Sequence, residues 1–508
     1  MARPTRSSRG ARSAFCGSGR LAFLALLVTA ISVAAAAPAG AGGDPGEEGT
    51  GPLPWRLGGA LRYTVDGAAF PDSAGLVYEV YVRVPPATLR ALADADTGGS
   101  VVQIETDFKP RSGGGRSSNG TQEFSLAPGD TGGIFGKVLL FRFPARNGRY
   151  HLTVQLTDLL SQKRGLVYVG RKVSQKRKVD GEVTVAVGTA GRLIADPEFG
   201  WMEAQPGAAG AFERGSLAML PNPDRLFGLL DQRLLVGCMA RAPDTTRAWH
   251  WTARVLDDTG AERAHQEGDG PVGNSVTAQV ALDLSTLPAG GYSLRIEAAQ
   301  TGDKSPLVKV ARFEIAWQAV TWYRDPDEIA DEMHFIMERG EEDKFLSLGP
   351  GGREAFLDEF WRQRDPDPDT AVNEAQQAYL ERVAFANRNW SRAGLQPGMF
   401  TDMGRVLIRY GQPDEIERQV IPAGDQDLSR VQEALNEAQG RPTGVIDSPG
   451  PGGDQRPWEL WIYEEGWVRR PLAAPRDAVV NPKQRHRLLF LFVDEQGYGD
   501  YRLRFSTE

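Results

Sequence analysis

Cysteine is nearly absent from this chain of 508 residues: there are two, Cys16 and Cys238. So few thiols support no disulfide framework and no cysteine-based metal cluster. Histidine is scarce as well. The five residues (His151, His250, His265, His334 and His486) show neither an HExxH pair nor any other metal-ligand spacing. No G-x-S-x-G elbow and no P-loop occurs. Beyond the first 41 residues no run is long and apolar enough to cross a bilayer. The sequence therefore names no catalytic residue, no metal and no cofactor.

The N-terminus reads as a targeting segment. Arg3, Arg6, Arg9, Arg12 and Arg20 form a basic leader, Leu21 to Val33 is a short apolar core, and Ala39-Gly40-Ala41 offers small residues for cleavage. Residues 1–41 are expected to be a signal peptide, and Cys16 lies on the wrong side of the apolar core for a lipid anchor. Removing five arginines and no acids takes the net charge from −8 to −13. An acidic mature chain argues against nucleic-acid binding and against adhesion to anionic lipid. Cys238, in Leu234-Leu235-Val236-Gly237-Cys238-Met239, reads as a small buried hydrophobe.

What is present is ordinary globular protein, 41% hydrophobic and 24% charged, with 59 glycines and 33 prolines for turns and linkers. Residues 42–54 read as a linker. From 55 to 190 the pattern is short strands, as where Leu76, Val80, Val82 and Val84 alternate with Glu79 and Arg83. Asn147-Gly148-Arg149-Tyr150 opens a strand with Leu152, Val154 and Leu156 on one face. The pattern returns 142 positions later as Ala289-Gly290-Gly291-Tyr292 before Leu294, Ile296 and Ala298. That repeat predicts two tandem immunoglobulin-like β-sandwiches, 55–190 and 211–318, joined by a loop-rich linker 191–210.

At Trp317 the texture turns helical. Asp325-Pro326-Asp327 caps a run with Ile329, Met333, Ile336 and Met337 on one face; a second helix carries Phe356, Leu357, Phe360 and Trp361; a third starts with Thr370 as its N-cap and aligns Tyr379, Val383, Ala386 and Trp390. An α+β domain over 319–508 is expected, its helices packed on a small sheet of 405–410, 458–464, 487–494 and 500–506, with an insertion at 423–456. In Gly398-Met399-Phe400-Thr401-Asp402-Met403-Gly404-Arg405, Thr401 and Asp402 are turn-formers and Gly404 permits close backbone approach. The expectation is a turn, a strand placing Val406, Ile408 and Tyr410 on one face, a break at Gly411, and a helix opening at Pro413-Asp414-Glu415.

These residues resemble the bacterial GWxTD domain family, defined by a Gly-Trp-any-Thr-Asp signature. Gly398, Thr401 and Asp402 match it; Met399 stands where the family has tryptophan, with Phe400 beside it. The likeness extends to Phe360–Pro368, Asn373-Glu374, Arg382–Asn387 and Trp458–Tyr463, covering roughly residues 320–508. The family has no settled biochemical activity, so the resemblance supplies a name without a reaction.

Several groups have two readings. Asp402 with Arg405, and Asp414 with Arg409, are either turn-closing ion pairs or carboxylates for acid–base chemistry. Asp365, Asp367 and Asp369 alternate as in a calcium loop, but Thr370 and Gln376 replace its glycine and glutamate, which favours an elbow whose acids cap the next helix. Trp458 and Trp461 fall on opposite strand faces, one in the core and one marking a contact surface. The favoured function is an exported, periplasmic or extracellular, non-enzymatic scaffold that meets an envelope protein partner through the GWxTD-like domain, without nucleic acid and without a membrane segment once the signal is removed. The alternative is an envelope hydrolase of peptide or glycan using carboxylates of the 398–418 motif. Gly398, Thr401, Asp402, Gly404, Arg405, Gly411, Pro413, Asp414, Trp458 and Trp461 are the residues on which either reading turns.

Overall fold

A computed structural model describes residues 47–507 apart from 49–50, 60, 73–74, 93–98, 113–115, 131, 160–174, 190, 204–211, 215–216, 393–395, 423–426, 439–453 and 465–486. The expected signal peptide and most of the Pro/Gly-rich half of the 423–456 insertion fall outside the described residues. The chain is mostly β-sheet, in several antiparallel sheets, with a short helix at Pro86–Ala91 and the other described helices after residue 318.

The first four-stranded sheet runs Trp55–Leu57, Tyr63–Asp72, Gly75–Val84, Lys137–Ala145. A five-stranded sheet, ordered Glu47–Glu48, Lys176–Val185, Gly148–Asp158, Ser100–Pro110, Ser118–Leu126, shares its core, where Tyr63, Val65 and Val80 meet Ile104, Phe108 and Leu152. Alternating apolar residues bury one face of Ser100–Pro110 and Gly148–Asp158 against the first sheet, whose strands Tyr63–Asp72 and Gly75–Val84 are buried on both faces.

The arrangement then recurs. A second five-stranded sheet runs Leu226–Gly228, Leu307–Ala316, Gly290–Gln300, Ala248–Leu256, Glu262–Val272. Strand for strand this is the order of the first, down to a short outer strand paired in parallel. Facing it, Arg233–Arg241 lies between Ser275–Asp283 and Glu198–Glu203, as Gly75–Val84 lies between Lys137–Ala145 and Tyr63–Asp72. The repeated tyrosines do the same work in both copies. Tyr150 Oη bonds the backbone of Arg146, and Tyr292 Oη donates to the carbonyl of Pro288 at 2.8 Å. Gly148 (φ 155°) and Gly290 (φ 152°) turn the chain into these strands in a conformation that favours glycine. The segment 191–210, expected to be a loop-rich linker, contains the strands Arg192–Ile194 and Glu198–Glu203. Both pair with Arg233–Arg241, because that strand needs hydrogen-bond partners on its second side.

The two halves meet in a charged seam. Asp66 receives two hydrogen bonds from Arg225, at 2.7 and 2.8 Å, with both side chains buried. Beside them Arg83 pairs with Asp224, and its guanidinium lies 4.8 Å over Trp201. A crevice lined by Asp66, Tyr81, Glu198 and Asn222 opens along this seam.

The C-terminal part is fastened to both halves. Glu314 Oε1 accepts Arg56 at 2.6 Å and its Oε2 accepts the N–H of Gly351 at 2.9 Å, at the start of the helix Pro350–Arg364. A carboxylate there complements the positive helix end. Glu354 Oε2 accepts Trp317 N, Gln318 N and Thr321 Oγ1. Asp325 accepts the N–H of Gly59 at 3.0 Å. The closing sheet is Glu415–Gln419, Trp458–Tyr463, Leu488–Asp494, Tyr501–Ser506, antiparallel throughout. Three strands agree with expectation; the fourth is 415–419 rather than 405–410. The third helix begins at Glu374, capped by Asn373 and not by Thr370, because the Asn373 side chain accepts Gln376 N.

Candidate functional site

The 398–414 stretch is built from the end of the long helix Glu374–Trp390. Gly398 opens a 3₁₀ turn, Gly398–Phe400, and a Cβ there would run into the carbonyl of Ala386. Met399 is buried, and its N–H donates to Asn387 Oδ1 at 2.9 Å. Met399 itself therefore fills the interior position, while the Phe400 ring lies outside it, against Phe335 and His334.

Residues 402–410 form an α-helix where a turn followed by a strand over 405–410 was expected. Thr401 is its N-cap: Oγ1 accepts the N–H of Gly404 at 3.1 Å and donates to the carbonyl of Gly398 at 2.6 Å. Asp402 occupies the first turn, where negative charge is favoured. Val406, Ile408 and Tyr410 alternate, but Met403, Val406, Leu407 and Tyr410 also fit helical spacing, and the cap decides between the two. Gly404 meets the backbone of Gly398 and Met399 so closely that no side chain fits. Gly411 ends the helix at φ 80°. Its carbonyl accepts Tyr463 Oη at 2.9 Å.

Asp402 makes two attachments. One carboxylate oxygen pairs with Arg405; the other accepts the N–H of Leu503 at 2.9 Å. Pro413 starts no helix. It is followed by the strand Glu415–Gln419, and Asp414 Oδ2 accepts the N–H of Glu464 at 2.9 Å, fastening that strand to its neighbour. Arg409 lies 5.4 Å over the Tyr410 ring.

Both tryptophans are buried. Trp461 packs with Trp390 and Phe492 beneath the helices, as expected of one of the pair. Trp458 is not a contact surface. It lies in a second core, with Leu460, Ile462 and Leu491, under the helix Leu428–Ala438 of the insertion. The aspartate elbow is likewise revised: Asp365 Oδ1 accepts Asp367 N and Asp367 Oδ1 accepts Asp369 N, while the cap of the next helix is Asn373. Among the described residues no group of three or more His, Cys, Asp or Glu side chains is placed to hold a metal. Cys238 is buried, its Sγ bonded to the carbonyl of Ala195, and burial pushes its thiol pKa up.

The structure thus brings Gly398, Thr401, Asp402, Gly404 and Arg405 together around one helix start, and puts Gly411, Pro413 and Asp414 at its other end. Trp458 and Trp461 are separated by the thickness of the sheet. Asp66, Arg225, Glu314 and Glu354 went unremarked in the sequence. Their partners are 33 to 258 positions distant, and no local pattern announces them.

No curated protein matches the chain. Among solved structures it is similar to a red sea bream transglutaminase at 8% identity, covering 52% of this chain and 32% of that one, with a TM-score of 0.16. A DUF3823 family protein from Bacteroides ovatus ATCC 8483 gives 9% identity, coverage of 44% and 91%, and a TM-score of 0.16. A Parabacteroides merdae β-glucuronidase gives 10% identity, 49% and 28%, and a TM-score of 0.16. This chain spans about a third of the transglutaminase, and at that TM-score none of these likenesses carries an argument. Residues 305–421 match the family model described as the GWxTD domain. The chain therefore contains a GWxTD domain, and the residues around Thr401 and Asp402 lie within it.

Proposed function

We propose that this is an exported, non-enzymatic scaffold whose GWxTD domain meets an envelope protein partner, the first 41 residues serving as its signal peptide. The observation that carries this reading is the employment of the signature side chains. Thr401 caps a helix, Asp402 binds Arg405 and the Leu503 backbone, and Gly398 and Gly404 allow backbones to touch. Groups so engaged serve the fold, which leaves function to surfaces.

In this reading the two repeated sheet pairs, 55–190 and 211–318, are immunoglobulin-like modules that hold the domain over 319–508 at a fixed orientation. The Asp66–Arg225 and Arg56–Glu314 bonds support rigidity between them. A hydrolase using Asp402 or Asp414 lacks comparable support, because each carboxylate already accepts a backbone N–H.

The test is cross-linking of the full chain in intact cells, followed by identification of what is attached to residues 319–508. One reproducible envelope protein is the expected result. Absence of any partner, together with peptide or glycan hydrolysis abolished by Asp402→Asn in a folded protein, would overturn the proposal.

A further inference from the structure

The outer edge of the closing sheet is the surface that the fold leaves unexplained. We propose that the strand Glu415–Gln419 is a docking edge for an extended peptide in which basic residues alternate with aliphatic ones; this rests on the interaction role proposed above. The strand pairs with Trp458–Tyr463 on one side and, among the described residues, with no strand on the other.

Register fixes what an added strand would meet. Glu415 stands opposite Ile462 and Glu417 opposite Leu460, on the face that packs under the helix Leu428–Ala438. Ile416 stands opposite Trp461, on the other face. Opposed residues of an antiparallel pair share a face. A new strand therefore meets Glu415, Glu417 and then Gln419 on one face, and Ile416, Arg418 and then Val420, just past the strand's end, on the other. Ile416 is 45% exposed, Val420 62% and Ile421 79%. Glu415 and Glu417 are exposed, and among the described residues no cation pairs with either. The neighbouring cation is taken, since Arg418 binds Glu459 at 2.5 Å.

Edges of soluble sheets are commonly blocked by lysine, proline or a bulge. This one presents, among the described residues, two unpaired glutamates and an isoleucine, with Arg418 held by Glu459. Antiparallel self-pairing centred on Ile416 or Glu417 sets glutamate against glutamate, whereas lysine or arginine on an incoming strand finds an opposite charge. Backbone hydrogen bonds supply affinity in such docking, and the alternate side chains supply selection. The net charge of −8 adds attraction for a basic segment at longer range.

The experiment is an anisotropy titration of the full chain with a labelled peptide of alternating lysine and valine, and with the same peptide N-methylated on alternate residues. Saturable binding is expected, lost on N-methylation and about tenfold or more weaker in Glu415→Lys/Glu417→Lys and in Ile416→Lys. Melting curves of these exposed-site variants establish that they fold. Equal binding of the N-methylated peptide means charge attraction alone and overturns the proposal, as does equal binding by the variants or no binding at all. Self-association removed by Ile416→Lys, without peptide binding, overturns it in favour of a dimer edge. A cross-linked envelope partner that Ile416→Lys leaves unchanged removes this edge from the interaction while the scaffold reading stands.

Discussion

Asp402 Oδ2 accepts the backbone N–H of Leu503 at 2.9 Å, so the first turn of a helix is bonded to the last strand of the chain, 101 positions on. Replacing Asp402 with alanine strands that N–H and frees Arg405. The expected cost is about 1–3 kcal/mol of unfolding free energy. Asp402→Asn keeps an acceptor and should cost less. Denaturant unfolding of the three proteins measures the order; equal stability of all three would show the bond to be idle.

Gly404 and Gly340 offer a contrast within one domain. A Cβ at Gly404 meets the carbonyl of Gly398, which is backbone and has no rotamer to change, whereas a Cβ at Gly340 has open space within the helix Arg339–Ser347. Gly404→Ala should destabilise by about 1–3 kcal/mol or more. Gly340→Ala should stabilise by roughly 0.5–1 kcal/mol, since alanine loses less backbone entropy on folding. The two midpoints in urea should move in opposite directions.

The pair Asp66–Arg225 joins the two sheet pairs from inside the seam. Asp66→Ala leaves a buried guanidinium without its carboxylate and should cost about 3–5 kcal/mol. The double change Asp66→Leu/Arg225→Met removes both charges and should cost clearly less. Small-angle scattering then reads orientation: a broader distribution of shapes in the double variant, at near-normal stability, is expected if the pair fixes geometry rather than holding the halves together.

Burial pushes the Glu354 carboxyl above the usual carboxylate range, against the bonds from Trp317, Gln318 and Thr321 that pull it down. The folded protein thus holds this proton more tightly than the unfolded chain does. Its contribution to stability is complete below the unfolded glutamate value of about 4.3 and is lost as pH rises through the folded value. Glu354→Gln cannot titrate. The variant should gain in melting temperature relative to the natural protein across that rise, and a constant difference at all pH values would refute the sign.

Some of this protein was legible locally. The strand Gly148–Asp158 and its counterpart Gly290–Gln300 were visible because alternation and the Gly-x-Tyr opening lie within a few residues. Asp325 as a helix cap, the burial of Cys238 and the opposite faces of Trp458 and Trp461 follow equally from short-range rules. At 402–410 the apolar run fitted both periods. Reading the alternation gave a strand; Thr401, a cap three residues from the N–H it accepts, makes it a helix.

Other features had no local signal at all. Trp458 is covered because Leu428 reaches it from an insertion, the strands at 192–194 and 198–203 exist because Arg233–Arg241 needs a partner, and Glu314 is a junction because Arg56 and Gly351 converge on it. Periods, caps and turns are settled by interactions among near neighbours, and the amino-acid sequence determined those. Which strand completes a sheet, which tryptophan is roofed and which carboxylate joins two domains depend on chain segments brought together only when the apolar faces are buried, and that was decided by the tertiary structure.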